Sequence, residues 1–268
     1  MRTGWQLLGA GPRAYERHLV PAIFTACAEH LLDLAGVGPG DRVVDVACGT
    51  GIVARRAAAR VGPGGAVTGT DVNAEMVAVA READPGGAVR WERADAAALP
   101  VADGAADVVL CQHGVQYLPD RPAALAEARR VLRPGGRLAI AVWRSVERQP
   151  GFAALARALE RGAGPAAGDI MRTPFGGPHP DALRPLLAGA GFAGAHTRIG
   201  VIAVRFPSAR DFLVRQVAAS PLAAVVADLA ADRVAALEEQ VDRALAPFAD
   251  DDGVTFPMET WLLRAQRT

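Results

Sequence analysis

The chain of 268 residues contains no lysine, because all 29 of its basic residues are arginine. Without a lysine amino group it cannot form an aldimine with pyridoxal phosphate, and it cannot supply the lysine of a P-loop. The formal net charge is zero, so the charge balance gives no reason to expect nucleic acid or an anionic membrane surface. We therefore expect neither as a partner.

Cysteine is also scarce, and the three cysteines, Cys27, Cys48 and Cys111, show no CxxC spacing. The five histidines do not cluster at the spacings of metal ligands, so we expect reduced thiols and no metal centre. No apolar run is long enough to span a bilayer, and no basic segment followed by an apolar run opens the chain. We expect no signal peptide and a cytoplasmic protein.

What is present is a large apolar fraction, 51%, which predicts a sizeable core. Apolar residues at helical spacing predict a helix over residues 13–35, and strands and helices alternate after it. The predicted strands are 42–47, 66–71, 88–93, 106–111 and 136–143, and the predicted helices lie near 52–60, 74–83 and 122–131. This alternation predicts an α/β fold with a doubly wound, mostly parallel sheet.

The pattern changes after Trp143. We predict helices at 151–161 and near 180–190, loops at 162–165 and 173–178, a strand near 195–205, two or three helices over 208–248, and a last strand at 253–266.

The segment 43–54 is the most informative part of the chain: an apolar strand with an acid near its end, two glycines, and the start of a helix. Gly49 and Gly51 allow a tight turn and a close approach of the backbone to a ligand. The helix that follows directs its free N–H groups towards that ligand. This arrangement is typical of a nucleotide-type cofactor loop.

Two cofactors compete for this loop. Residues 49–54 fit GxGxxA, the pattern of dinucleotide-binding loops, although short glycine patterns arise by chance in a chain with 29 glycines. Asp45, just before the glycines, would repel a pyrophosphate but attract an ammonium group. This favours S-adenosylmethionine, which carries an ammonium and a sulfonium and no phosphate.

Two further acids follow at the ends of the next strands. Asp71 can accept hydrogen bonds from ribose hydroxyls, which both cofactors possess. Asp95, followed by Ala96, can accept the amino group of adenine. Both residues therefore indicate an adenosine.

Together with the segment 133–136 (Arg-Pro-Gly-Gly), these motifs resemble the class I S-adenosylmethionine-dependent methyltransferases, and most of all the small-molecule group that includes the ubiquinone/menaquinone C-methyltransferases and natural-product methyltransferases. The resemblance covers roughly residues 36–145, and segments 111–120 and 254–261 are also similar to that group.

The resemblance implies a seven-stranded Rossmann-like methyltransferase fold in which the last two strands form an antiparallel hairpin at the sheet edge. We expect one methyltransferase domain over 1–268, with its core at about 36–145, 190–206 and 252–268. The additions around the mouth of the site would be 1–35, 146–189 and 207–250.

The expected chemistry is in-line methyl transfer to a small acceptor, in which much of the catalysis comes from positioning and desolvation. We expect an apolar or aromatic metabolite, such as a quinone precursor or a natural-product scaffold, with oxygen, nitrogen and carbon acceptors all open. A homodimer is also left open. The rival interpretations are a protein that binds S-adenosylmethionine without transferring methyl groups, and an NAD-linked oxidoreductase.

His113, directly after the fourth strand, is the candidate general base; the alternative is that it only packs near the cofactor. Tyr15 resembles a tyrosine that these enzymes often place over the cofactor, or else it is a core aromatic residue. The full set predicted to bind the cofactor is Tyr15, Asp45, Ala47, Cys48, Gly49, Thr50, Gly51, Asp71, Val72, Met76, Asp95, Ala96, Gln112 and Tyr117.

Overall fold

A computed structural model describes residues 7–268, so residues 1–6 of the predicted N-terminal addition lie outside the described part. The chain divides into two compact units. The sheet unit comprises residues 25–143, 177–200 and 260–268; the helical unit comprises the described residues up to Phe24 together with 144–176 and 201–259. The predicted division into a core and additions remains a prediction.

The strands are β1 (Arg42–Val46), β2 (Ala66–Asp71), β3 (Arg90–Arg93), β4 (Ala106–Gln112), β5 (Leu132–Trp143), β6 (Phe192–Phe206), β7 (Ala249–Asp250) and β8 (Gly253–Arg267). The α-helices are α1 (Gly11–Ala14), α2 (Thr25–Ala35), α3 (Ile52–Val61), α4 (Ala74–Glu82), α5 (Arg121–Val131), α6 (Pro150–Ala163), α7 (Pro165–Arg172), α8 (Pro180–Gly189), α9 (Ala209–Ala218), α10 (Leu222–Ala227) and α11 (Ala231–Leu245). A π-helix, Tyr15–Phe24, joins α1 to α2.

The sheet confirms the predicted fold class. Within residues 7–268 the strand order is β3-β2-β1-β4-β5-β8-β6, and the short β7 pairs with β8. Strands β1 to β5 pair in parallel, whereas β8 runs antiparallel to β5. The order reverses between β1 and β4, which in open α/β sheets is where ligands bind, outside the carboxyl ends of the strands.

Helices cover both faces of this sheet. On one face, buried side chains of α2, α3 and α4 pack against β1, β2 and β5. On the other face, buried side chains of α5 and α8 pack against β4, β5 and β8. Because the central strands are covered on both sides, they are almost continuously apolar, and β4 is buried over Ala106–Cys111.

The helical unit has an aromatic core of its own. The rings of Phe152, Phe212 and Phe256 lie 5.2 to 6.4 Å apart at steep angles, and Phe206 packs 4.9 Å from Phe212. A Cβ on Gly151 would collide with the ring of Phe256, so this position in α6 admits only glycine without a rearrangement. No helix in residues 7–268 has the length and apolar character needed to cross a membrane.

Three of the differences from the sequence prediction have a clear physical cause. The helix predicted over 13–35 is interrupted by the π-helix, which contains Pro21, and proline has no N–H to donate to a regular helical bond. β5 begins at Leu132 because this residue already pairs with Ala106 before the 133–136 turn bulges out. The loop predicted at 162–165 shrinks to Gly164 (φ 93°), since Pro165 begins α7.

The ring of Trp91 on β3 packs against Gly51, in the loop after β1, and against Gly69 in β2. A Cβ on Gly51 would collide with the Trp91 ring, and a Cβ on Gly69 would lie 2.5 Å from its Cζ3 atom. The indole N–H donates to Asp84 at 3.1 Å, which holds the ring in place. The absent side chains of these glycines therefore let the large ring pack beneath the loop that follows β1.

We expect Gly69→Ala to destabilise the protein by about 1–3 kcal/mol, because the added methyl group overpacks the contact with Trp91. Gly86→Ala is the matched control, since no atom lies within 4 Å of a Cβ at that position. Urea unfolding of both variants measures the difference. Equal stabilities of the two variants would contradict the proposed packing.

Candidate functional site

The loop between β1 and α3 has the strained backbone of a binding loop. Ala47 and Gly49 both have φ 56°, and Gly51 has φ 89° as the N-cap of α3. A Cβ on Gly49 would meet no atom within 4 Å, so this glycine borders open space. The N–H of Cys48 donates to the Thr70 carbonyl at 2.9 Å, which ties the loop to the end of β2.

Asp71 joins the loops after β1 and β2 through its carboxylate. Its Oδ2 accepts the Gly49 N–H at 2.9 Å, and its Oδ1 accepts the Asn73 N–H at 2.8 Å. Loss of solvent raises the pKa of Asp71, while these backbone donors oppose the shift. Each carboxylate oxygen has a second lone pair, so the group can still accept a hydrogen bond from a ligand.

Asp45 lies beneath the loop, with only 1% of its surface exposed. Its Oδ2 accepts the Ala54 N–H at 3.1 Å near the start of α3, and its Oδ1 has no hydrogen-bond partner among residues 7–268. Burial raises the pKa of Asp45 to about 8, and the nearby charge of Asp71 adds to the shift. A cation near the loop would favour the charged form.

The end of β3 lies beside the end of β2. The N–H of Ala94 donates to the Asp71 carbonyl at 3.0 Å. Asp95 and Ala96 are the next two residues in the sequence, so they lie close to the end of β2. The Asp95 side chain is exposed and accepts the Ala97 N–H, whereas Ala96 is buried. Of the other predicted residues here, Val72 is exposed and Met76 is half-buried in α4.

The segment after β4 approaches the same loop. A Cβ on Gly114 would lie 2.6 Å from the Cβ of Ala47 and 3.0 Å from the sulfur of Cys111, so the two segments touch. Gln112 and Tyr117 flank this contact and are half-buried, and burial raises the pKa of the Tyr117 phenol. Predicted site residues from the ends of β1, β2, β3 and β4 are therefore contiguous.

His113 is held in an unusual environment at the end of β4. Its φ is 52°, and its backbone N–H donates to the Ala141 carbonyl of β5 at 2.9 Å. Its imidazole stacks flat on the Trp143 indole, with ring centres 3.7 Å apart and planes 3° apart. Burial lowers the pKa of His113 to about 3, so the imidazole is neutral near pH 7.

Tyr15, also predicted to bind the cofactor, belongs to the helical unit, where its ring centre is 4.9 Å from that of Phe24 on the same π-helix. His179 caps α8 by accepting the Asp181 N–H at its Nδ1, and its ring packs edge-on against Trp261. In the described part of the chain, no three histidine, cysteine or acidic side chains form a cluster that could hold a metal ion.

The residues around the loop suit an adenosyl group with an ammonium better than a pyrophosphate. Two buried oxygens, Oδ1 of Asp45 and Oγ1 of Thr50, have no hydrogen-bond partner among the described residues. The Arg55 guanidinium, which could have faced a phosphate, donates to the Thr50 carbonyl at 2.5 Å. An unpaired carboxyl oxygen and an unpaired hydroxyl near a glycine that borders open space fit a cationic, hydroxyl-bearing ligand.

Comparison with known proteins agrees with this chemistry. A family described as "Methyltransferase domain" matches residues 44–140, which contain the β1 loop, Asp71, Asp95 and the end of β4. Residues 44–140 are therefore a methyltransferase domain, similar to those of the class I S-adenosylmethionine-dependent methyltransferases. S-adenosylmethionine is the cofactor of this class, as expected from Asp45 and the glycine loop.

Curated relatives match this domain. The chain is 42% identical over 113 residues to a ubiquinone/menaquinone biosynthesis C-methyltransferase of Teredinibacter turnerae, and the alignment covers 41% of this chain and 45% of the relative. It is 39% identical over 110 residues to a 2-phytyl-1,4-naphtoquinone methyltransferase of Synechocystis, and that alignment covers 40% of this chain and 46% of the relative. The chain thus spans about half the length of the curated relatives it matches.

A solved structure extends the likeness in fold beyond this segment. A SAM-dependent methyltransferase from Aquifex aeolicus superposes with a TM-score of 0.52 at 25% identity, over 72% of this chain and 92% of that chain. The Rossmann-like methyltransferase fold implied by the sequence resemblance is therefore confirmed.

The sequence prediction missed Trp143, whose indole stacks on the imidazole of His113. A signal for it was available, because parallel β4 and β5 end at the same edge and Gln112 pairs with Ala141. Residues just past that pair are neighbours in space. The role of Trp91 beneath Gly51 and Gly69 carried no comparable signal, since it depends on how the ring is oriented.

The low pKa of His113 has a consequence for stability. An unfolded histidine binds a proton below about pH 6.5, whereas folded His113 stays neutral down to about pH 3. Above pH 6.5 both states are neutral at this residue, and the free energy of unfolding is unaffected by it. As the pH falls below 6.5, only the unfolded state binds the proton, which lowers the free energy of unfolding by about 2 kcal/mol at pH 5. His113→Gln should remove this loss.

Urea unfolding at pH 5 and pH 7 measures the effect as the difference between wild type and His113→Gln, so that titration of Asp45 and other groups cancels. The exposed His196, replaced by glutamine, is the control and should behave as wild type. If His113→Gln kept the full wild-type pH dependence, His113 would not be the group responsible.

Proposed function

We propose that this protein transfers the methyl group of S-adenosylmethionine to a small apolar or aromatic acceptor, such as a quinone precursor or a natural-product scaffold. The observation that carries the proposal is the contiguous set of strand ends around the β1 loop, with Asp71 hydrogen-bonded to Gly49. The matched methyltransferase domain contains this whole set. Cytoplasmic location and a homodimer remain predictions.

The cofactor would be held by groups with distinct tasks. Asp71 would accept the ribose hydroxyls with its remaining lone pairs, and Asp95 would accept the adenine amino group. The open space at Gly49 would admit the methionine end. Asp45 would favour the ammonium from beneath the loop, since a nearby cation stabilises its carboxylate form. When bound, S-adenosylmethionine supplies an electrophilic methyl group with a good leaving group.

His113 and Trp143 would form the acceptor side of the site. Their stacked rings are buried at the ends of β4 and β5, with 7% of His113 and 4% of Trp143 exposed. A buried ring pair beside the site would suit an aromatic acceptor, because contacts between aromatic rings add to the free energy of burial. A neutral imidazole with a pKa of about 3 is a weak proton acceptor, so positioning and exclusion of water carry most of the catalysis.

Relatives support the quinone class at the level of the domain. The Teredinibacter and Synechocystis proteins are named for methylation in quinone biosynthesis and naphthoquinone methylation. They match this chain over less than half of its length, and the helical unit lies largely outside the matched methyltransferase domain. The identity of the acceptor is therefore the part of the proposal that needs direct measurement.

The test is incubation of the full chain with methyl-labelled S-adenosylmethionine and a panel of 1,4-naphthoquinols, phenols and aromatic amines. We expect label in an extractable aromatic product. Binding of S-adenosylhomocysteine without any labelled product would replace the proposal with a cofactor-binding protein of another activity. Calorimetric binding of NAD with no response to S-adenosylhomocysteine would replace it with an oxidoreductase.

Asp71→Ala should weaken the affinity for S-adenosylhomocysteine by roughly ten- to a few-hundredfold. Charge-assisted hydrogen bonds to the ribose, worth about 1.5–3 kcal/mol each, would be lost. Calorimetry of the variant gives the change, and Asp228→Ala, at an exposed helix end, is the control. Unchanged affinity in Asp71→Ala would place the ribose elsewhere.

His113→Ala should lower turnover by about 10²-fold at saturating cofactor, because loss of the imidazole would misplace the acceptor relative to the methyl group. Because His113 does not titrate near pH 6.5, we expect no inflection there in the wild-type rate profile. The measurement is steady-state kinetics from pH 5.5 to 8, with His196→Ala as control. Full turnover in His113→Ala would leave this residue with a packing role only.

A further inference from the structure

A cavity lies in the sheet unit, at the edge of the sheet opposite the proposed cofactor site. Its volume is about 340 Å³, and it is lined by Asp103, Gly104, Ala126, Arg129, Arg130, Pro134 and Arg267. Gly104 precedes β4, and the last turn of α5 and the turn in β5 form its walls. The amino ends of the parallel strands therefore border this cavity, whereas the cofactor loops follow their carboxyl ends.

Arg130 is the one lining arginine whose charge is matched within the described residues. Its guanidinium binds Glu127 at 2.7 and 2.8 Å and Asp103 at 2.6 Å. It also donates to the carbonyls of Leu99 and Val101 at 3.0 and 2.9 Å. Arg130 is thus a structural residue with its donors occupied.

Arg129 and Arg267 lack such matching. The Nε atoms of both are buried, and neither has a hydrogen-bond partner among residues 7–268. Arg267 uses its Nη1 to donate to the Arg129 and Arg130 carbonyls at 2.9 and 3.3 Å and to that of Leu132. The Arg129 guanidinium lies against Gly191, where a Cβ would be 2.5 Å from its Nε.

This arrangement is costly without a ligand. A buried N–H donor that makes no hydrogen bond loses its hydration without compensation, and two like charges at one cavity repel each other. The lining carries three positive charges and one negative charge, and that negative charge, on Asp103, is bound to Arg130. An anion in the cavity would offset the charges of Arg129 and Arg267, which have no acidic partner among the described residues.

We propose that this cavity binds a small oxyanion through Arg129 and Arg267. Guanidinium groups recognise phosphate and carboxylate by paired N–H donors, so these are the two chemical classes that fit. The volume is at the lower end for small-molecule sites, which leaves room for a compact organic group attached to the anion. The site is separate from the cofactor loops and does not depend on the proposed methyl transfer.

The experiment titrates the full chain with inorganic phosphate and, separately, with citrate, by calorimetry at constant ionic strength set with sodium chloride. We expect saturable binding that Arg129→Gln weakens at least about tenfold. Arg264→Gln, which removes the same charge at an exposed position of β8, should bind as wild type does. Tighter binding of phosphate assigns the phosphoryl class, and tighter binding of citrate assigns the carboxylate class.

Two controls keep the result decisive. Affinity for S-adenosylhomocysteine should be unchanged in Arg129→Gln, which shows that the variant is folded and that the two sites are independent. If Arg129→Gln does not fold, a crystal of the wild type soaked in tungstate should show the heavy oxyanion within hydrogen-bond distance of Arg129 or Arg267. Equal binding by both variants, no saturable binding by wild type, or tungstate only elsewhere would overturn the proposal.

Discussion

The carboxylate of Asp71 is the interaction on which the rest of the site depends. By accepting the N–H groups of Gly49 and Asn73, it joins the loops that follow β1 and β2. Positive φ is costly for Ala47, and these hydrogen bonds together with the packing of Trp91 hold the loop in this conformation. The same carboxylate is the group proposed to bind the ribose.

Burial acts on the two sides of the site in opposite directions. It raises the pKa of Asp45 and lowers that of His113, because loss of water penalises the charged form of either group. Without a ligand, both groups are therefore pushed towards neutrality. A cationic cofactor would restore the charge on Asp45, whereas burial keeps His113 neutral where it stacks on Trp143.

Much of the cofactor site was predictable because it depends on short local patterns. Glycines at 49 and 51 and acids at 71 and 95 follow predicted parallel strands, and the carboxyl ends of such strands meet at one edge. The structure brings these residues together as expected. The π-helix around Pro21 and the stacking of His113 on Trp143 were not predicted, since each depends on packing between segments that are distant in sequence.

The sequence by itself determined the alternation of strands and helices, the parallel sheet and the identity of the cofactor loop, because hydrophobic period and glycine placement act over a few residues. Only the tertiary structure decided which polar groups would lose their water. No local sequence pattern predicts the burial of Asp45, the neutral state of His113 or the absence of acidic partners at Arg129 and Arg267 among the described residues. Burial and the distance between charges arise only when remote segments pack together.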